Sequence, residues 1–150
     1  MPGSNEITIP LASSPYFVSI AGNGERWLLA YQDGSLMYGR YLDRDGTPSG
    51  ESFILGVADE KSRPSLAWDG DEFVVTWDIS HFIQMASVGP RGVEHPIFPF
   101  SFGAQTSSDA VYANGAAFVA YQHIDPDATN SARIFTRTIT SRMRVRPGPH

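Results

Sequence analysis

One pattern, written three times along the chain, constrains its fold more than any other feature. Residues Val18–Gly24 (VSIAGNG), Pro64–Gly70 (PSLAWDG) and Asp109–Gly115 (DAVYANG) each precede an apolar run that ends in an aromatic residue. The glycines that close them, Gly24, Gly70 and Gly115, are spaced by 46 and 45 residues. A fixed period of that size marks stacked supersecondary units, none of which buries its apolar surface alone.

Each unit divides into the same short segments. The first ends in Asn23-Gly24, Asp69-Gly70 or Asn114-Gly115, dipeptides that accept the positive φ of tight hairpins. The second is Trp27–Tyr31, Phe73–Trp77 and Phe118–Tyr121. These runs do not alternate apolar with polar residues, so such strands must be covered on both faces. Trp27 and Trp77 are accordingly expected in the core. The third segment, Ser35–Leu42, Phe82–Val88 and Arg133–Ile139, is more polar. The fourth is Glu51–Leu55 and Glu94–Phe98, where Pro96 and Pro99 suit only a sheet edge. No segment sustains helical periodicity. The expected fold is all-β: four-stranded antiparallel blades of a β-propeller in one domain over 1–150, with blades at 14–58, 59–103 and 104–146.

The third unit lacks an evident fourth segment, whereas residues 6–13 stand before the first marker strand as Glu51–Gly56 and Glu94–Pro99 stand before the others. They read as an outer strand that completes the last blade. Three blades do not close a ring, because propellers carry about 4–8. The bared ends would expose apolar side chains whose burial contributes roughly 1.5–3 kcal/mol each. The expectation is therefore a six-bladed ring made by a homodimer with strand exchange, residues 6–11 of one copy lying beside residues 133–139 of the other.

Composition narrows the partners. With no cysteine, disulfides and thiolate metal sites are excluded. No run is long enough for a membrane-spanning helix, and the opening MPGSNE lacks signal-peptide features. The expected location is cytoplasmic, or secreted if a leader has been removed, with no membrane partner. The net charge is −5, and all 16 acidic residues precede residue 133, which argues against nucleic acid. Arg142, Arg144 and Arg146 alternate along the tail. On an extended segment they share one face, either guarding an edge opposite an acidic surface such as Glu6 or binding an anion.

The pattern Pro-x-apolar-Ala-x-Asp-Gly, carried by Pro64–Trp77, and Tyr-x-Arg-x-Leu-Asp-x-Asp-Gly, carried by Tyr38–Gly46, resembles the propeller repeats of roughly 50 residues common in bacterial proteins. The likeness runs from Glu6 to about Val145 and implies the fold, while propeller repeats host lectins, hydrolases, lyases and scaffolds alike.

In a four-stranded blade, the hairpin between strands two and three shares a rim with the connections between blades. That rim gathers Asp33, then Asp78, Ser80 and His81, then His123, Asp125 and Asp127, with Asp59–Lys61 and Ser107–Asp109 from the connections. His123, Asp125 and Asp127 are candidate ligands for a divalent cation, calcium or magnesium. His81, His123, Asp78 and Asp125 are candidate catalytic groups around a metal-activated water. Asp and Ser are equally frequent in such loops as turn formers, and Asp43–Gly46 reads as a turn. Trp68, Tyr16 and Tyr112 lie on or near the innermost strands; with Asp33 and Asp109 they form the candidate ligand-binding set.

Two functions remain. A lectin-like module binding carbohydrate or another small molecule at the channel mouth or between blades expects similar polar and aromatic groups in every unit. A metal-dependent hydrolase on the His81/His123 rim expects one unit to differ. Neither a Gly-x-Ser-x-Gly nor a His-Glu-x-x-His motif is present, so binding without an obligatory cofactor is the preferred expectation.

Overall fold

The structure is a computed structural model that describes residues 6–9, 15–80, 82–90, 92–99, 104–124, 132–140 and 144–146. Its elements are strands arranged as three four-stranded antiparallel sheets, each in sequence order. The first sheet holds β1 (Tyr16–Gly22), β2 (Trp27–Asp33), β3 (Leu36–Leu42) and β4 (Pro48–Val57). The second holds β5 (Ser65–Trp68), β6 (Phe73–Ile79), β7 (Phe82–Gly89) and β8 (Gly92–Pro99). The third holds β9 (Ala104–Ala113), β10 (Ala116–Ile124), β11 (Ala132–Thr140) and β12 (Arg144–Arg146). Among the described residues no helix is long and apolar enough to cross a membrane.

The marker dipeptides sit in the first hairpin of each sheet, but not in one geometry. Gly22 pairs with Trp27 and Trp68 with Phe73, leaving four-residue loops at 23–26 and 69–72. The Asn23 side-chain oxygen accepts the Glu25 and Arg26 N–H groups, and Asp69 does the same for Asp71 and Glu72. In the third sheet Ala113 pairs directly with Ala116. Asn114 (φ 52°) and Gly115 (φ 78°) then form a two-residue turn with positive φ at both positions, the arrangement that matches strand twist.

The unalternating second strands are covered on both faces. Phe73, Val75 and Trp77 of β6 pack against the first sheet, in a cluster with Leu28, Met37, Tyr41 and Leu55. Val74 faces the third sheet instead, with Ala117, Val119, Tyr121 and Ile139. The middle sheet is thus sandwiched, and β5 lies between β1 and β9. Polar groups join sheets two and three: Ser65 Oγ donates to Asp109 at 2.9 Å and accepts the Ala110 N–H at 2.7 Å, while the Thr76 and Ser108 hydroxyls meet at 2.9 Å. Strand β8, with its two prolines, stands at a sheet edge.

Two expectations are corrected. The third sheet has its own fourth strand, because β12 pairs antiparallel with Thr138–Thr140 of β11; the strand missing from the sequence pattern is only three residues long. The pairing expected of residues 6–11 is with a second copy; within the single chain residues 6–9 form no strand. Ile7 and Ile9 instead lie beside Tyr16, Val18, Leu29 and Tyr31 of the first sheet. Trp77 is wholly buried, but Trp27 is 40% exposed. The cause is its place in the row. Trp27 occupies the register position of Phe73, which packs on the preceding sheet, and among the described residues no sheet precedes the first. Its indole lies over Gly22, where a Cβ would come within 2.7 Å of the ring, and Nε1 donates to the Arg44 carbonyl.

Candidate functional site

The turns β1–β2, β3–β4, β5–β6 and β7–β8 share one rim. There the first and second sheets part to form a cleft of about 510 Å³, lined by Asn23, Glu25, Arg26, Tyr41, Asp43, Trp68, Asp71, Phe73 and the Val88–Pro90 turn. Volumes of this order suit small ligands. Strand β5 ends at Trp68, whose indole meets the Phe73 ring edge-on at 4.9 Å. From the Asn23 loop, Arg26 sets its guanidinium 3.8 Å from the Tyr41 ring centroid, a cation–π contact that orients an otherwise flexible side chain. Tyr41 is fixed in turn, its hydroxyl donating to the Gly89 carbonyl across the sheet boundary. The cleft therefore presents aromatic surface, a held guanidinium and the carboxylates of Glu25, Asp43 and Asp71.

The matching position between sheets two and three is closed. Register equates Arg26 with Glu72 and Tyr41 with Ser87. Glu72 and Ser87 are buried and hydrogen-bonded to each other, the hydroxyl donating. Beside them Asp69 is only 1% exposed, and its second carboxylate oxygen has no partner among the described residues. Burial, reinforced by the charges of Glu72 and Asp71 and opposed by the loop N–H groups, raises the Asp69 carboxyl above its usual 3.8. A carboxyl raised on folding binds more protons folded than unfolded, so its contribution to stability falls as pH climbs from 3.8 through the folded value. Asp69→Asn keeps the oxygen that accepts the loop N–H groups and removes the buried charge. It is expected to stabilise the protein at pH 7 by on the order of 1 kcal/mol, about 2–4 °C in melting temperature. The gain should shrink as calorimetric scans are taken toward pH 4; a loss at pH 7 would contradict this account.

The candidate ligand-binding residues do not converge. Trp68 is in the cleft, but Tyr16 begins β1 and Asp33 ends β2, on the opposite rim. Asp109 is engaged by Ser65, and Tyr112 pairs with Ala117 in the position that Trp68 holds against Phe73. The other rim's carboxylates serve the backbone. Asp59 accepts N–H groups from Lys61 and Ser80 and the Ser62 hydroxyl. Burial pushes its carboxyl up, but these bonds outweigh that and hold it below 3.8. Asp78 accepts the Arg63 N–H at 3.2 Å. Asp43–Gly46 is a turn, closed by Gly46 N–H on the Asp43 carbonyl. His81, Asp125 and Asp127 lie outside the described residues. His123 is in β10, opposite Gln105 and Arg133, and its side chain also lies outside them. Among the described residues no three His, Asp or Glu side chains form a metal-binding group.

Sequence reasoning missed Arg26, Tyr41, Glu25, Asp43 and Asp71. The signal available was the hairpin loop itself, where Glu25-Arg26 replaces the Asp71-Glu72 of the second unit.

No family model and no curated protein matches the chain. Among solved structures it is similar to a GH43 endo-arabinanase from Bacillus licheniformis, a five-bladed β-propeller, with a TM-score of 0.52 at 12% identity. The match covers 86% of this chain and 52% of that one. The shared feature is the fold: stacked four-stranded antiparallel sheets of the propeller kind.

Proposed function

We propose that this chain binds carbohydrate in the cleft between its first and second sheets, and that a second copy covers its two outer sheet faces. The observation that carries the first part is the pairing of Trp68 with the Arg26–Tyr41 stack across one cleft. A sugar ring has C–H faces that pack on aromatic rings and an edge of hydroxyls that need donors and acceptors. Trp68 and Phe73 offer the first, and Arg26, Glu25, Asp43 and Asp71 the second. The propeller it resembles is named for carbohydrate chemistry. Among the described residues the buried Glu72–Ser87 pair leaves no matching cleft between sheets two and three.

The test is a screen of the full chain against neutral oligosaccharides, arabino-oligosaccharides included, followed by calorimetry on the best probe. Trp68→Ala should weaken binding by at least about tenfold, as should Arg26→Gln, which leaves the apolar packing in place. Retention of no oligosaccharide, or an affinity that neither substitution moves, would overturn the assignment. Release of shortened products in the same incubations would make the cleft an active site.

The second copy is supported by the ends of the stack. Val18, Ile20, Trp27 and Ile54 are exposed on the outer face of the first sheet. Val111, Phe118 and Ile134 are exposed on the outer face of the third. Two such faces on one molecule make a head-to-tail contact that closes when the rotation is right, and three sheets from each of two copies fall within the propeller range.

A further inference from the structure

On the rim opposite the cleft, a cavity of about 460 Å³ is lined by Tyr16, Phe17, Gln32, Gly34 and Glu60. Its wall contains a polar group with an unmet requirement. Gln32 is 98% buried, at 2% exposure, and its Oε1 has no hydrogen-bond partner among the described residues. The amide cannot be turned round to remove the problem. Nε2 donates to the Gly34 carbonyl, and the reversed amide would set two acceptors against each other. A buried acceptor without a donor is costly and calls for an explanation in the group's surroundings.

The chain bends around the same place. Phe17 has φ 48°, a left-handed conformation that aromatic residues seldom adopt, and the β1–β2 register slips between Tyr16 and Val18. Bulges and strained residues of this kind re-aim side chains beside functional sites. Here the bulge brings Tyr16, 62% exposed, and Phe17 together at the mouth, their ring centroids 6.4 Å apart. The Arg63 guanidinium stands 4.7 Å from the Phe17 ring centroid, a cation–π contact that takes up one face of that ring and leaves Tyr16 as the open aromatic surface.

We propose that this cavity binds an amino sugar, its ammonium received by the Glu60 carboxylate and by Gln32 Oε1 once the side chain shifts to uncover that buried atom, and its ring face by Tyr16. An acceptor-rich lining with a carboxylate matches a donor-only, positively charged group better than a hydroxyl, which brings lone pairs of its own. Aromatic faces add to the attraction for a cation. The proposal is independent of the cleft, which lies on the other rim and contributes none of these residues.

The test compares glucosamine with glucose, which differ at one substituent, by calorimetry on the full chain at neutral pH. Glucosamine should bind at least about tenfold more tightly. Glu60→Gln, at an exposed position, should abolish most of that preference without altering the melting temperature. Gln32→Leu should do the same, and if it also destabilises the β2–β3 turn the Glu60 variant still decides. In spectra of labelled protein, glucosamine should move the Gln32 side-chain amide and the Gly34 N–H. In a Trp68→Ala background, where binding in the cleft is weakened, the preference for glucosamine over glucose should persist, which separates this site from the cleft. Equal affinity for the two sugars, no glucosamine binding, or a preference that survives Glu60→Gln would overturn the proposal.

Discussion

Trp77→Ala is expected to remove about 3–5 kcal/mol of stability, the range for deleting a large aromatic side chain from a packed core. Trp77 is completely buried in the middle of β6, within the cluster that joins the first and second sheets. Its Nε1 donates to the Val57 carbonyl at 2.9 Å, tying the centre of one sheet to the end of β4 in the other. Truncation therefore leaves a cavity and an orphaned carbonyl together. Domains of this size carry about 5–15 kcal/mol in all, so the loss should be plain as a lowered midpoint in urea unfolding. Trp27→Ala is the internal control. The same residue type at the equivalent strand, but 40% exposed, should lose much less. Equal losses at the two tryptophans would mean that the sheets are not stacked as described.

The purified chain is expected in solution at about twice its 16.4 kDa mass. Ile20→Glu, on one outer face, and Ile134→Glu, on the other, are each expected to return it to 16.4 kDa. Ile134 is 74% exposed and Ile20 52%, so neither change disturbs the core of a single chain. In an apolar contact each would exchange roughly 1.5–3 kcal/mol of burial for an unpaired charge, enough to dissociate a dimer at micromolar concentration. Light scattering coupled to size exclusion gives the answer directly. A particle of 16.4 kDa before any substitution, or a dimer indifferent to both, would refute the face-to-face contact. Ile7 and Ile9 lie against part of the first sheet's outer face, so that contact requires the segment to shift or to become part of it.

Much of this architecture was legible because it depends on local chemistry. Asn-Gly and Asp-Gly mark hairpins through their own conformational preferences, Pro96 and Pro99 announce an edge strand through their missing N–H groups, and runs such as Phe73–Trp77 can only exist between two layers. The short β12 was not legible, since three residues carry too little pattern to distinguish a strand from a tail. Nor was the outward turn of Trp27, because identical register positions differ only in whether another sheet precedes them. The candidate site was harder still. Tyr16 and Trp68 both belong to innermost strands, yet they stand at opposite ends of them, and sequence spacing between repeats says nothing about which end meets a cleft. Asp59 and Asp78 belong to the rim set that the sequence gathers, yet both accept backbone N–H groups.

The exchange of Arg26 and Tyr41 in one unit for Glu72 and Ser87 in the next has a practical corollary. A guanidinium too bulky to be swallowed props its seam apart, whereas a short acid–hydroxyl couple lets the neighbouring seam zip shut. Pocket-making in this scaffold is thereby decoupled from the strands that hold it up. Rewriting two side chains of the middle repeat is expected to open a second recess, and the reverse edit to erase the existing one.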